Sequence, residues 1–358
     1  MSEPTRPTTA TEYLRPLLET IGVGDVISNQ RRSQRRVLSR RDVTWPSAAV
    51  HAQSPFPSLV EGRQDGGMSA PGQSGDASVA LAHAIEPFSA DGGSTGVLLC
   101  HGFTGSPASL RPWAQALAEA GLTVRLPRLP GHGNTIEAAN RVGWTDWFDC
   151  VDREFHRLSA RCEQVFVFGL SMGGGLALRL AEVHHGGIPG ANGVRRSGGS
   201  DGGVVAGLVL VNPSVVVTDR RLFLLPLLRR ISASSPGISN DISMGGQDEA
   251  ALSRVPHHAL ASMLVMNKLI RRDLVKISAP ILLYRSVNDH VVGPQSAALI
   301  EAEVRGPYER RDLPRSFHVA TLDHEAGEII DGSLAFVKQH ATIAPSGTAA
   351  VDADGRRR

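Results

Sequence analysis

The sequence predicts an α/β protein with a mostly parallel sheet, helices on both of its faces and a small helical cap. Three observations carry this. From residue 96 onward, short Val- and Leu-rich runs alternate with segments of helical period, the pattern of parallel strands buried on both faces. One of these transitions, VFVFGLSMGGGLALRL at 165–180, passes from strand to helix through a single serine walled in by glycines. A long leucine-rich stretch, residues 214–274, separates two core strands and is expected to cap the ends of the sheet.

The elements follow in order. Residues 1–90 are rich in Ser, Thr, Pro, Gly, Gln and Arg and read as a disordered or mis-started arm. Within it, 14–27 could form a short helix, RRSQRRVLSRR (31–41) is a solvated basic cluster, and Met68 is a candidate translation start. Residues 97–100 (VLLC) form a buried strand. Residues 109–121 form a helix with Leu110, Trp113 and Leu117 on one face and a glycine stop. A strand at 122–126 leads into a PGHG loop, and 144–162 is helical. Strand 165–169 and helix 172–183 flank the serine. Residues 184–203, glycine-rich and without a period, read as a surface insertion. Then come a strand at 205–211, the cap, a strand at 280–285, a helix at 296–304, a strand at 308–313 and a closing helix at 329–340. The core is thus 91–213 plus 275–341, and 342–358 is expected to be a disordered tail.

Composition narrows the function classes. With 358 residues, 41% of them apolar, the chain can bury a sizeable core. A net charge of +2 gives no reason to expect nucleic acid as a partner. Cys100, Cys150 and Cys162 lack metal-ligand or redox spacing and read as free thiols. The N-terminus has no basic region followed by an apolar run, and no stretch of 18 apolar residues exists. A soluble cytoplasmic protein is expected. His184 and His185 are adjacent, so they point to different faces of a helix; neither a metal site nor a cofactor is expected.

The residues Gly169-Leu170-Ser171-Met172-Gly173 fit G-x-S-x-G after a strand and before a helix, the context in which the serine is an exposed nucleophile. A serine hydroxyl needs a base, and the base needs an orienting acid. Asp289, directly after strand 280–285, and His318, shortly after strand 308–313, stand in the required order and at the same sheet edge as Ser171. Asp323, His324 and His290 are rivals placed less well. The oxyanion hole needs two backbone N–H groups; Met172 supplies one and Phe103, in the loop after the first core strand, the other. His101 belongs to that loop's scaffold, and His132 stabilises its own PGHG loop. Cap residues Leu222, Phe223, Leu225 and Leu228 are expected to line an acyl site, about half of the cap leucines serving packing alone.

Taken together, HGFTGSP, LPRLPGHG, GLSMGG, NDHVV and HVATLD resemble the α/β-hydrolase superfamily, and within it the bacterial carboxylesterase and monoacylglycerol lipase family. The resemblance spans 96–340. It implies an α/β-hydrolase fold, Ser171 as nucleophile, Asp289 as orienting acid, His318 as base, and Phe103 and Met172 as oxyanion donors. It implies a small acyl ester as substrate and a cap that closes over lipid-like molecules and touches lipid surfaces transiently. Relatives that cleave monoacylglycerols recognise glycerol through an acidic cap residue, and LFLLPLLRRISASSPG (222–237) contains no carboxylate. Thioester hydrolysis or acyl transfer would use the same residues. A non-catalytic binding protein of the same fold is the reading from another class; a proline iminopeptidase would want an acidic cap cluster.

Overall fold

The computed structural model describes residues 84–185 and 203–341. The chain divides into two compact units, Met1–Met68 and Ser69–Arg358, and the described residues lie in the second. The expectations for residues 1–83, for most of the insertion (186–202) and for 342–358 lie outside the described residues.

Seven strands form one sheet: β1 (Phe88–Ala90), β2 (Thr95–Cys100), β3 (Thr123–Leu126), β4 (Gln164–Leu170), β5 (Val205–Val211), β8 (Ile281–Ser286) and β9 (Tyr308–Leu313), in spatial order β1-β3-β2-β4-β5-β8-β9. All neighbours run parallel except β1, which pairs antiparallel with β3. The arm expected through residue 90 therefore ends earlier. Phe88, Ser89 and Ala90 are an ordered edge strand opposite Leu126, Arg125 and Val124, too short to show a period.

Alternation along the strands feeds two cores. On β2, Leu98 and Cys100 face one side, Val97 and Leu99 the other, all fully buried. The first side is covered by helices α3 (Trp144–Ser159) and α4 (Met172–Val183), the second by α1 (Arg111–Glu119) and α8 (Ala326–His340). A short helix α2 (Ile136–Asn140) precedes α3, and α7 (Gln295–Glu303) joins β8 to β9. Helix α3 buries Trp147, Val151, Phe155 and Leu158, spaced four, four and three as one helical face requires. Its first turn is capped by Asp146, whose Oδ2 accepts the Gly143 N–H at 2.8 Å. Trp113 of α1 stacks on Phe168 of β4 with ring centroids 5.2 Å apart. The three cysteines are unpaired.

The cap differs from its expectation. It contains a 3₁₀ turn (Arg220–Leu224), helix α5 (Leu225–Ile231) and a two-stranded ribbon of β6 (Ser234–Pro236) and β7 (Arg254–Pro256). Residues 237–253 between the ribbon strands form no helix or strand. Helix α6 (His257–Asp273), expected in the cap, buries Met263, Met266 and Ile270 in the same core as α3 and α4. Its apolar residues recur at helical spacing whether they face a cap or a sheet layer, so the sequence could not separate the two.

Candidate active site

Ser171 sits between β4 and α4 with φ 56° and ψ −118°, a left-handed conformation that costs a non-glycine residue on the order of 1–3 kcal/mol. The flanking glycines make the turn possible. A Cβ on Gly169 would lie 2.3 Å from the Gly173 oxygen, and one on Gly173 would lie 1.9 Å from the Cys100 oxygen. The turn is tied to the next strand, since Ser171 N–H donates to the Val211 oxygen at 2.9 Å and the Ser171 oxygen accepts from Ser214 N–H at 3.1 Å. Met172 opens α4 and is fully buried; the N–H groups of a helix's first turn have no partner within it.

His318 and Asp289 come together beyond the C-terminal ends of the neighbouring parallel strands β9 and β8. His318 Nδ1 lies 2.8 Å from Asp289 Oδ2, with both side chains largely buried. The second oxygen, Oδ1, accepts the N–H groups of Val291 at 2.8 Å and Val292 at 2.7 Å. The carboxylate is thereby fixed in both position and orientation. The rivals are engaged elsewhere. His290 Nδ1 pairs with Asp241 Oδ1 at 2.8 Å. Asp323 accepts four backbone N–H bonds, from Phe317, Ser243, Met244 and His324. Its burial raises the pKa, and those bonds outweigh the burial and hold it below the ordinary range. His324 remains half open to solvent, 3.9 Å from Asp323.

The loop after β2 closes over the serine. A Cβ on Gly102 would come 3.5 Å from the Ser171 Cβ, so the two backbones are in close approach. His101 is fully buried; its Nε2 accepts the Leu129 N–H at 3.1 Å and its Nδ1 faces the Gly102 oxygen at 3.0 Å. Burial depresses its pKa to about 3, with His132 adding to the effect, so it is a neutral strut of this loop. His132 is likewise buried, pushed down to about 4, and bonded through Nδ1 to the Pro130 oxygen of its own loop. Phe103 is half-buried, its ring edge-on to Trp147 at 6.0 Å.

Four residues escaped the sequence reading. Asn212, at φ 45° just past β5, donates to the His318 oxygen and to Ser286 Oγ and accepts the Ser286 N–H. Asp241, in the cap, accepts the N–H of His318 at 3.1 Å as well as that of His290. Glu249 lies against the loop after β2: its main-chain oxygen accepts from Ser106 Oγ at 3.2 Å, and nearby Leu252 N–H donates to the Thr104 oxygen at 2.9 Å. The fourth, Asn240, braces Glu249 by a reciprocal pair, its N–H donating to Glu249 Oε1 at 2.9 Å and its Oδ1 accepting the Glu249 N–H at 3.0 Å. Burial pushes the Glu249 carboxyl upward, opposed by the Asn240 N–H and by the field of His318.

The expected acyl-site residues divide. Leu225 is buried, and Leu222 and Leu228 are half-buried. Phe223 is 58% exposed and, with Leu227 at 58% and Ile231 at 73%, forms an outward apolar strip. It occupies the solvent side of its turn, and leucine-rich composition alone does not reveal which side that is.

The sequence pattern of the Alpha/beta hydrolase family matches residues 97–347. A thermostable monoacylglycerol lipase of Bacillus sp. (strain H-257) is 36% identical over 267 residues, 72% of this chain and 95% of that one. A carboxylesterase of Bacillus subtilis (strain 168) is 25% identical over 67% of this chain and 91% of its own. Among solved structures, one from the metagenome-derived lipolytic enzymes LipS and LipT superposes with a TM-score of 0.65 at 32% identity, covering 72% of this chain and 98% of that one. The serine turn and the parallel sheet behind it are thus the local form of a shared architecture, and the chain belongs to the alpha/beta hydrolase family.

Proposed function

We propose that the chain is a serine ester hydrolase that cleaves monoacylglycerols and related acyl esters. The observation that carries this is the fixed Asp289–His318 pair, joined through Asn212 to the turn that bears Ser171. Asp289 beside Nδ1 favours the tautomer protonated there and leaves Nε2 as the base. His318 takes the Ser171 proton as the hydroxyl oxygen attacks the ester carbonyl. Asp289 steadies the imidazolium. The N–H groups of Phe103 and Met172, at the α4 N-terminus, receive the oxyanion. His318 then protonates the departing alcohol, and water, deprotonated by the same imidazole, cleaves the acyl-enzyme.

Glu249 supplies the acidic cap group that the stretch 222–237 lacks. Held by Asn240 against the loop of Phe103, it is suited to accept hydrogen bonds from the hydroxyls of a glycerol leaving group. The outward strip of Phe223, Leu227 and Ile231 is flanked by Arg229 and Arg230, both exposed, while Arg221 is paired with Asp219 at 2.8 Å. An apolar stripe bordered by cations suits transient docking on an anionic lipid surface. No helix among the described residues is long and apolar enough to cross a membrane.

The test is hydrolysis of p-nitrophenyl esters from acetate to palmitate alongside monoacylglycerols, with Ser171→Ala as control. Cleavage of monoacylglycerol by the native chain and none by the variant is the expected result. Failure of the native chain on every ester would reject the reading.

A further inference from the structure

At the opposite end of α4 from Ser171, three side chains from two helices converge on one point. Asp152 and His156 stand four residues apart on α3 and so share a face. His184 is the C-cap of α4. His184 Nε2 lies 2.6 Å from Asp152 Oδ1, and His156 Nε2 lies 3.5 Å from Asp152 Oδ2. The candidate donor atoms all fall within 4.8 Å of one another. We propose that Asp152, His156 and His184 form a binding site for a divalent first-row transition-metal ion, with zinc as the reference ligand.

The donor chemistry points to this class. Two imidazoles and a carboxylate suit zinc, cobalt or nickel, and not calcium or magnesium, which prefer all-oxygen shells. Bonds of about 2.0–2.2 Å to a tetrahedral ion place its donors about 3.3 Å apart. His184 faces Oδ1 and His156 faces Oδ2, so ligation through one oxygen needs the carboxylate to turn and the 2.6 Å contact to open by about 0.7 Å. Exposure is graded in a way that allows both entry and a fourth, water ligand. The His184 side chain is 9% exposed, whereas Asp152 is 28% and His156 44% exposed. The buried ring of Phe155 lies 4.7 Å from the His184 ring and limits its rotation. His156 lies in the last turn of α3 and His184 caps α4, so the negative ends of both helix dipoles favour a cation at the site.

Coordination requires the His184 Nε2 lone pair, so the metal-bound form carries any ring proton on Nδ1. A bound ion would clamp the end of α3 to the end of α4 at the entrance to the glycine-rich segment 186–202. About 20 Å of helix separates His184 from Ser171, so the ion's role is structural. The adjacent His185 is not among the converging residues; the partners of His184 lie some thirty positions away, beyond the reach of sequence spacing.

The experiment is calorimetric titration of zinc into the full chain, with cobalt substitution read by its visible spectrum. Thermal unfolding is followed with zinc and with chelator. The expected result is one zinc per chain, an intense tetrahedral cobalt spectrum and a higher melting temperature with zinc. His156→Ala, an exposed change that leaves the core intact, should weaken binding by at least about tenfold, and His185→Ala should not. Absence of binding, or binding that is unchanged in both His156→Ala and Asp152→Asn, would overturn the proposal.

Discussion

Asn212 Nδ2 donates to the main-chain oxygen of His318 at 2.8 Å, while the residue before it, Val211, accepts the Ser171 N–H at 2.9 Å. One turn after β5 therefore holds both the nucleophile's backbone and the base's backbone. Removing the Asn212 amide strands the Ser286 N–H and the His318 oxygen, each about 1–3 kcal/mol if left unsatisfied. The positive φ of Asn212 separates strain from hydrogen bonding. Asn212→Gly relieves strain and loses the bonds, whereas Asn212→Ala loses the bonds and keeps the strain. Both should lower kcat by at least about tenfold with KM little changed, and the alanine variant should melt lower than the glycine variant. A folded glycine variant with native kcat would show that Asn212 does not position His318.

Glu249→Gln tests the leaving-group contact. The amide keeps an acceptor oxygen for Asn240 N–H but loses the charge that strengthens a hydroxyl's hydrogen bond. The kcat/KM for a monoacylglycerol should fall by about tenfold or more. The value for a p-nitrophenyl ester of equal chain length, which has no glycerol, should stay within about twofold of native. An equal fall on both substrates would place Glu249 in loop support and not in recognition.

The parts of the site that could be read from sequence are those with local signatures. Ser171 stands out because a strand, a glycine-walled serine and a helix follow one another without a gap, and Asp289 and His318 because each leaves a strand end. Asn212, Asp241 and Glu249 have no such signature. Asp241 and Glu249 lie in 237–253, which has no period, and reach His318 and Ser106 across 77 and 143 positions. The helix expected at 329–340 begins three residues earlier, and β1 was invisible because three residues cannot show alternation. Burial within the cap was not legible because Leu225 and Phe223 are two steps apart in one apolar run, one buried and one exposed.

The outward strip on the cap predicts interfacial behaviour. Inserting three apolar side chains into a lipid surface yields about 1.5–3 kcal/mol each if they are fully buried, and each nearby arginine adds about 1 kcal/mol on an anionic surface. Leu227→Ser with Ile231→Ser should abolish co-sedimentation with phosphatidylglycerol vesicles and slow cleavage of emulsified long-chain esters. Turnover of soluble butyrate esters should persist. Equal binding of native and variant chains to vesicles would locate lipid contact elsewhere, or remove it.

Glu182 predicts a stability effect at alkaline pH. The residue is 2% exposed; Arg179 pairs with its Oε2 at 2.9 Å, and its Oε1 has no hydrogen-bond partner. Burial outweighs Arg179 and raises its pKa to about 8. A carboxyl whose pKa is higher folded than unfolded binds more protons in the native state, so stability falls as pH rises between the two values. The window runs from the ordinary glutamate value of 4.5 to about 8. Glu182→Gln mimics the protonated form and removes that dependence. Its stability should therefore gain on the native chain as pH is raised from 5 to 9, by an amount on the order of a few kcal/mol at the top of the range, read as a rising difference in melting temperature. Parallel melting curves for the two chains across that range would show that Arg179 keeps Glu182 ionised throughout.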